Sequence, residues 1–178
     1  MCVLLLSTKN KSMIINEGKF LRFCKEGTWE YVERSNCSGA VIILSKTKDN
    51  KVLFVEQFRP PVKKNVIELP AGLIGDEKDP SESCLLAAKR ELIEETGYEA
   101  KEIEYLFGGP ISAGLSNEML YFVYAHDLTK VSGGGGVEGE NIIVHEIEVS
   151  EVDQFLKEQV KMGKLIDPKL YLFLAHLR

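Results

Sequence analysis

One segment with clear helical periodicity, residues 83–96, is flanked on both sides by segments typical of short β-strands, and this order limits the fold more than any other feature. Its apolar residues recur at three-, four- and seven-residue spacings, and Gly97 supplies a C-terminal stop. The strands are predicted at residues 19–24, 28–34, 40–44, 52–58, 103–107, 119–125 and 142–149. Helices are predicted at residues 150–162 and 167–177. This order predicts an α+β fold rather than alternating βαβ units.

Size and composition exclude several classes of protein. A chain of 178 residues with 44% hydrophobic residues suits one domain with a substantial core. The net charge is −5 and no basic cluster is present, so we expect no nucleic-acid partner. No apolar run approaches the ~20 residues that cross a bilayer, and no signal-peptide pattern is present. We therefore expect a cytoplasmic protein without a membrane partner, whose four cysteines, lacking any Cys-x-x-Cys pair, are reduced.

The predicted first helix concentrates negative charge. Glu91, Glu94 and Glu95 fall within an arc of about 100° on one face. No lysine is interleaved among them, and the nearest cations, Lys89 and Arg90, lie on the flank. Such carboxylates repel one another unless a cation compensates them, and hard oxygen ligands favour Mg²⁺ or Mn²⁺. The alternative is an acidic helix face exposed to solvent.

The segment before this helix, residues 69–72, has the sequence Leu-Pro-Ala-Gly and predicts a turn with free backbone carbonyls. Together with the helix it resembles the Nudix hydrolase box, Gly-x5-Glu-x7-Arg-Glu-U-x-Glu-Glu-x-Gly-U, where U is aliphatic or aromatic. Residues 82–98 match the second half of the box at every fixed position. Nine residues instead of five separate Gly72 from Glu82, so the loop between them is longer by four.

The first glutamate of the box has two candidates. Glu82 has the family's spacing to Arg90 and is preferred. In the alternative, Glu77 takes this position and the helix is longer by one turn, with residues 79–82 as a capping box.

The resemblance covers most of the chain and extends to one branch of the family, the ADP-sugar pyrophosphatases. Residues 56–61, 67–74 and 112–118 carry it. In the last segment, Ala113 replaces a proline that accompanies ADP-ribose hydrolases, which leaves other nucleoside diphosphate sugars open. The resemblance implies a Nudix α/β/α sandwich around a mixed β-sheet, residues 37–178. It also implies an N-terminal antiparallel β extension, residues 1–36, through which two subunits form a homodimer.

The activity implied by the resemblance is Mg²⁺-dependent hydrolysis of the diphosphate in nucleoside diphosphate sugars, such as ADP-ribose or another ADP-, GDP- or UDP-sugar. The products are a nucleoside monophosphate and a sugar phosphate, and Mn²⁺ can replace Mg²⁺. One alternative is a Nudix hydrolase of a dinucleotide or a nucleoside triphosphate. Another, of a different class, is a non-catalytic Nudix ligand sensor.

The resemblance also assigns the metal site. The metal ligands are the carbonyl of Ala71 and the carboxylates of Glu82, Glu91 and Glu95. Two further residues belong to the catalytic set: Glu94 is a ligand or a partner of Arg90, and Arg90 holds the carboxylates.

Substrate contacts are implied for five residues. Trp29, the only tryptophan, offers a stacking surface for the nucleobase, and packing in a core or an interface is its alternative. Arg59 contacts a phosphate or the terminal sugar, and a structural ion pair is its alternative. Gly114, Ser116 and Glu118 belong to the branch segment and complete the predicted substrate site.

The glycine run at residues 133–136 predicts a mobile loop. A general base is predicted on this loop, just after the glycines, because a loop that can close carries such a base well. The family branch places a glutamate in this loop. Glu140 matches it best and Glu138 is second, while incidental surface acids are the alternative. The three histidines lack metal-ligand spacing and are predicted to be structural.

Overall fold

The computed structural model describes residues 12–75 and 79–177, in which eleven strands and three helices form. The strands are β1 (Met13–Glu17), β2 (Leu21–Glu26), β3 (Trp29–Arg34), β4 (Gly39–Ser45), β5 (Lys51–Arg59), β6 (Lys64–Glu68), β7 (Ala71–Ile74), β8 (Tyr98–Pro110), β9 (Met119–Lys130), β10 (Ile143–Glu148) and β11 (Leu165–Ile166). The helices are α1 (Cys84–Thr96), α2 (Val152–Lys161) and α3 (Lys169–Leu177), and a 3₁₀ turn, Val149–Glu151, precedes α2.

Two mixed four-stranded sheets form the body of the protein. One has the order β7-β4-β9-β8, with β4 antiparallel to β7 and parallel to β9. The other has the order β10-β5-β6-β11, in which only β11 runs parallel to its neighbour. Separated strands and helices with mixed pairing confirm the predicted α+β class.

The alternation of side chains along β4 divides the core into two parts. Val41 and Ile43 pack in the cluster that includes the buried face of α1. Ile42 and Leu44 point to the opposite cluster, which includes α2 and α3. The sheets are thus covered by α1 on one side and by α2 and α3 on the other, as in the predicted sandwich.

A third sheet, β1-β2-β3, is antiparallel throughout. It contacts the body through Val32, whose N–H donates to the carbonyl of Leu115 at 2.9 Å and which forms a parallel bridge with Ser116. The boundary between an N-terminal extension (1–36) and the main domain stays a prediction, and residues 1–11 of that extension lie outside the described chain.

Strands β1, β6, β7 and β11 were not predicted. The most important of them is β7, because residues 71–74 were expected to begin in a turn. Pro70 and Gly72 favour turns locally, but pairing with β4, in which Ala71 lies opposite Ile42, makes this segment a strand. Strand β11 has only two residues, too few for an alternating pattern to be visible in the sequence.

Two further findings concern the expectations about compartment. None of the helices in the described ranges is long and apolar enough to cross a membrane. Cys24, Cys37 and Cys84 are free, and Cys2 lies outside the described residues.

Candidate active site

Helix α1 begins and ends at well-formed caps. The hydroxyl of Ser83 accepts the N–H of Leu86 at 3.3 Å, and Gly97 ends the helix at φ 76°. The helix therefore begins at Cys84, and the alternative in which it is one turn longer is wrong. Glu77, the first glutamate in that alternative, lies outside the described residues.

Arg90 connects the carboxylates of this region. Its Nε and Nη2 donate to the two oxygens of Glu82, each at 3.0 Å. Its Nη1 donates to Glu91 at 2.7 Å and to Glu94 at 3.3 Å. Nη2 also reaches the carbonyl of Leu73 at 3.2 Å, which connects the helix to β7. These bonds, above all those to Glu82, raise the pKa of Arg90, so this guanidinium is a permanent cation among three carboxylates.

Glu82 also closes the loop that precedes the helix. One of its oxygens accepts the N–H of Gly75, at the end of β7, at 3.2 Å. Glu82 is thus held both by the end of the strand and by Arg90, and the structure places it with the box glutamates of α1. Its role as a metal ligand stays a prediction.

Glu95 is buried, with 5% of its surface exposed, and its Oε2 accepts the N–H of Ala71 at 3.0 Å. Burial raises the pKa of Glu95 to about 8, which the Ala71 N–H opposes and the charges of Glu91 and Glu140 reinforce. Burial likewise raises the pKa of Glu91 to about 7, against the opposing effect of Arg90. The positive charge near Glu91 and Glu95 is therefore too small to keep both carboxylates ionised at neutral pH.

The backbone of β7 is open towards these carboxylates. The Pro70 carbonyl points to β4, where it accepts the N–H of Ile43 at 2.8 Å. Since successive residues of a strand point their peptide groups to opposite edges, the N–H and the carbonyl of Ala71 point away from β4, and this N–H donates to Glu95. At Gly72, a Cβ atom would overlap the Glu91 carboxylate, so glycine allows that carboxylate to lie against the strand.

The donor set fits a hard divalent cation. The Glu95 carboxylate lies at the free edge of β7, beside the Ala71 peptide, and the Glu91 carboxylate lies against the neighbouring Gly72. Mg²⁺ or Mn²⁺ prefers carboxylate and carbonyl oxygens of this kind. Within residues 12–75 and 79–177, no group of three His, Cys, Asp or Glu side chains is already arranged to hold a metal ion. Glu82, Glu91 and Glu94 bond to Arg90, so this guanidinium is the cation that compensates them in the structure.

The loop with the predicted base lies against the end of α1. Gly135 and Gly136 donate their N–H groups to the carbonyls of Glu95 and Glu94, both at 2.9 Å. The exposed carboxylate of Glu140 accepts the N–H of Val137 at 3.0 Å. Gly136, whose N–H donates to the end of α1, also lies against the Glu140 side chain, so the structure places Glu140 near the C-terminal end of this helix. The negative charge of Glu140 raises the pKa of Glu91 and Glu95. The sequence predicted a mobile loop and gave no sign of these hydrogen bonds, which attach the loop to the helix.

A cavity of about 790 Å³ opens between the β2–β3 hairpin and the loop that joins β8 to β9. Its lining residues are Glu26, Gly27, Thr28, Trp29, Tyr31, Pro110, Ala113, Ser116, Asn117 and Met119. Trp29 is 63% exposed, so packing in this protomer's core is wrong as an interpretation of this residue. Its indole instead forms part of the wall.

The branch segment is divided between two roles. Ser116 lines the large cavity, whereas Gly114 is not among its lining residues. Glu118 forms an ion pair with Arg34 and, with Ser116, borders a second cavity of about 220 Å³. Glu118 thus ties the loop to β3, and its substrate contact stays a prediction.

Arg59 and the histidines have protein partners. Arg59 forms an ion pair with Glu68, at 2.6 Å between Nη2 and Oε2, which is the alternative named for it; a substrate contact stays a prediction. His145 bonds to the buried Glu56 at 2.9 Å, and His126 lies 3.3 Å from Glu104. The side chain of the third histidine lies outside the described residues.

Sequence reasoning missed the contributions of the backbone. The Leu73 carbonyl that receives Arg90, the Ala71 N–H that holds Glu95 and the glycine amides at the end of α1 are independent of side-chain type. The glycine run was a visible signal, because glycine is common where backbones approach closely. Asn117 and Glu26 in the cavity wall had no comparable signal.

Comparison with known proteins supports the family resemblance seen in the sequence. The NUDIX domain model matches residues 36–173. A "GDP-mannose pyrophosphatase" of Escherichia coli (strain K12) is 36% identical over 157 residues, which cover 84% of this chain and 76% of that protein. A "Methanol dehydrogenase activator" of Bacillus methanolicus is 33% identical over 141 residues, covering 79% and 72%.

A solved structure confirms the fold. The "Crystal structure of ADP compounds hydrolase" superposes with a TM-score of 0.64 at 20% identity, covering 83% of this chain and 80% of that chain. The predicted family, branch and α+β fold are therefore confirmed. On the match over residues 36–173 and these relatives, the chain belongs to the Nudix family.

Proposed function

We propose that the protein is a Mg²⁺-dependent pyrophosphohydrolase of nucleoside diphosphate sugars, which releases a nucleoside monophosphate and a sugar phosphate. The observation that carries this proposal is the grouping of Glu95 beside the Ala71 peptide and of Glu91 against Gly72, two carboxylates on adjacent residues of β7. The relatives named GDP-mannose pyrophosphatase support the substrate class.

The carboxylates of Glu91 and Glu95 and the carbonyl of Ala71 would hold the metal, with Glu82 as a further ligand. When bound at these residues, Mg²⁺ would supply the positive charge that offsets the charge of a diphosphate during hydrolysis. Arg90 keeps the box carboxylates together through its bonds to Glu82 and Glu94. Glu140, exposed beside them, accepts the proton of the attacking water.

The cavity supplies a site for the nucleoside. The exposed indole of Trp29 can stack on the base, and Tyr31 lines the same wall. Met119 in this wall directly precedes Leu120, which pairs with Ala40, whereas Ala71 lies opposite Ile42. The cavity and the carboxylates are therefore about three residues apart along the strands and two strands apart across the sheet, roughly 14 Å in all, a distance on the scale of an extended nucleoside diphosphate.

A substrate panel tests the proposal. With Mg²⁺ present, ADP-ribose, ADP-, GDP- and UDP-hexoses, a dinucleotide and a nucleoside triphosphate are compared by kcat/KM. We expect a nucleoside diphosphate sugar to rank first and to yield a nucleoside monophosphate and a sugar phosphate in equal amounts. A higher kcat/KM for the dinucleotide or the triphosphate would contradict the substrate class. Tight binding without turnover would instead favour a ligand sensor.

We also propose that the protein is a cytoplasmic homodimer. Large apolar side chains are exposed along the sheet β1-β2-β3: Met13, Ile14, Ile15, Phe20, Leu21 and Phe23. Apolar surface of this extent is typical of an interface between proteins. The free thiols of Cys24, Cys37 and Cys84 suit a reducing compartment.

The dimer is tested by light scattering coupled to gel filtration. Phe23→Glu places a charge on the N-terminal sheet and should convert a dimer into monomers. Leu172→Glu on α3, where the leucine is 54% exposed, is the matched control and should leave the mass unchanged. A monomeric wild-type protein would overturn the proposal.

A further inference from the structure

The glycine segment, defined here as residues 134–136, lies directly on the C-terminal end of α1. Its two N–H bonds end on the carbonyls of Glu94 and Glu95, which belong to the same residues whose carboxylates form the candidate site. The last carbonyls of a helix have no partner within the helix, so these bonds satisfy groups that would otherwise need water. The contact thus fixes the loop to the backbone of the site itself.

The closeness of this contact requires glycine at two positions. At Gly134, with φ +66°, an added Cβ would lie 2.5 Å from the carbonyl carbon of Thr96 and 2.6 Å from the Glu95 oxygen. At Gly136, with φ +86°, an added Cβ would lie 2.5 Å from the Glu140 carboxylate. Both positions therefore have a left-handed backbone, and an added side chain would meet the helix backbone at Gly134 and would displace the Glu140 side chain at Gly136.

The same segment leads to Glu140 through a short closed loop. The N–H of Ile142 donates to the Gly135 carbonyl at 3.2 Å, and the N–H of Glu140 donates to Val137 at 3.0 Å. The N–H of Val137, the residue after the segment, in turn holds the Glu140 carboxylate at 3.0 Å. Glu140 is thus positioned by backbone groups that begin at the end of α1.

We propose that the glycine segment is a positioning device that fixes Glu140 relative to the carboxylates of α1, with Gly134 and Gly136 as the positioning residues. The inference rests on the proposed function, in which Glu140 is the general base. It explains why residues with no side chain lie between the helix and the base, since the bonds that join the segment to α1 are both formed by backbone groups.

The first test is a set of alanine variants with matched controls. Gly134→Ala and Gly136→Ala should lower kcat about 10²-fold, the order expected for a misplaced catalytic group, with KM changed less than about threefold. Gly133→Ala controls for the neighbouring position, where an added Cβ has open space. Gly163→Ala, which lies after α2 and outside this loop, controls for a left-handed backbone, with φ +84° and open space. Equal kcat for Gly134→Ala and the two controls would overturn the inference.

A double-mutant cycle separates positioning from general damage to the fold. If Gly134 acts through Glu140, adding Gly134→Ala to Glu140→Gln should lower kcat less than about threefold further. Multiplied losses would overturn the inference, because they show that Gly134 acts by another route. Wild-type kcat for Glu140→Gln alone would overturn the assignment of the general base. A slow Glu140→Gln together with a fast Gly134→Ala would overturn only the positioning role.

Hydrogen exchange tests the contact in the wild-type protein, so the inference remains testable even if Gly134→Ala fails to fold. The amides of Gly135 and Gly136 should exchange at least about tenfold more slowly than that of Gly139. Equal exchange rates for the three amides would overturn the inference, whatever the kinetics of the variants.

Discussion

The carboxylate site on α1 and the N-terminal sheet β1-β2-β3 differ in what they lack: the first has buried charge without a sufficient counter-ion, and the second has apolar side chains without a packing partner. In the first, Glu91 and Glu95 are sequestered from water with insufficient positive charge. In the second, aromatic and aliphatic side chains, Trp29 and Phe20 among them, are open to water. Buried charge is stabilised by a counter-ion, whereas exposed apolar surface is stabilised by contact with an aromatic ring of a ligand or with another protein surface.

The difference extends to how each region is held. Around Arg90, five hydrogen bonds fix three carboxylates and one backbone carbonyl. The N-terminal sheet contacts the body through the Val32 bridge and through side-chain bonds such as Arg34 to Glu118. We infer that the carboxylate site sets turnover, whereas the sheet and its cavity set affinity.

The largest effect is expected at Glu95. Glu95→Gln keeps the shape and can still accept the Ala71 N–H. It loses the charge that would hold the metal in the proposed function. We expect kcat to fall by at least about 10²-fold at saturating Mg²⁺. Glu99→Gln, at an exposed position of β8 just after the helix, removes the same charge and should keep wild-type kcat. Near-wild-type turnover of Glu95→Gln would remove this residue from the metal site.

The next effect is expected at Trp29 and concerns affinity. Trp29→Ala should raise KM about 5- to 150-fold, which corresponds to the ~1–3 kcal/mol usual for stacking of a base on an aromatic ring. The melting temperature should not change, because the indole is 63% exposed. Tyr171→Ala, at an aromatic residue of α3 that is 55% exposed, is the control. A lower melting temperature with unchanged KM would assign Trp29 to packing.

A smaller effect is expected on the stability of the metal-free protein. The folded-state pKa of Glu95 is about 8 and that of Glu91 about 7, both raised by burial. Between pH 5 and 8 the folded protein thus binds more protons than the unfolded chain, and its stability falls as pH rises, by up to about 1.4 kcal/mol per pH unit for each proton. Urea unfolding should show this fall and its reduction by Mg²⁺ or in Glu95→Gln. A slope unaffected by either would contradict the burial of uncompensated charge.

The smallest effect is expected at the ion pair beside the cavity. Arg34→Lys loses the guanidinium geometry that holds Glu118, and KM should rise about two- to fivefold, since partly exposed ion pairs contribute up to about 1 kcal/mol. Arg22→Lys is matched in exposure, 33% against 35% for the side chain, and pairs with Glu17 instead. Equal KM values for the two variants would show that the loop does not depend on Arg34.

The features that were predictable from the sequence are those carried by local pattern. The caps of α1, its buried face and the grouping of its glutamates follow from residue type and spacing. Even here, the fixed spacing could not show that Arg90 reaches across to Glu82 and to the Leu73 carbonyl. Such contacts depend on how the preceding loop returns to the helix.

Non-local pairing accounts for most of what was missed. Residues 71–74 have turn-like sequence, and only the partner strand β4 makes them β7. The same applies to the loop after Lys130, where the glycines predicted freedom but donate to the end of α1. Glycine marks both freedom and close approach, and sequence alone does not distinguish the two.

The Gly75–Glu82 hydrogen bond has a consequence for how this protein can be altered. The bond joins the end of β7 to the residue that Arg90 holds, so the ends of the intervening loop are fixed next to each other. When the ends of a loop are held together, the free-energy cost of closing the loop rises by only about 0.6 kcal/mol for each doubling of its length. This explains how four additional residues are accommodated between Gly72 and Glu82, and it makes this loop the natural place to insert a tag or a reporter peptide without displacing the carboxylates.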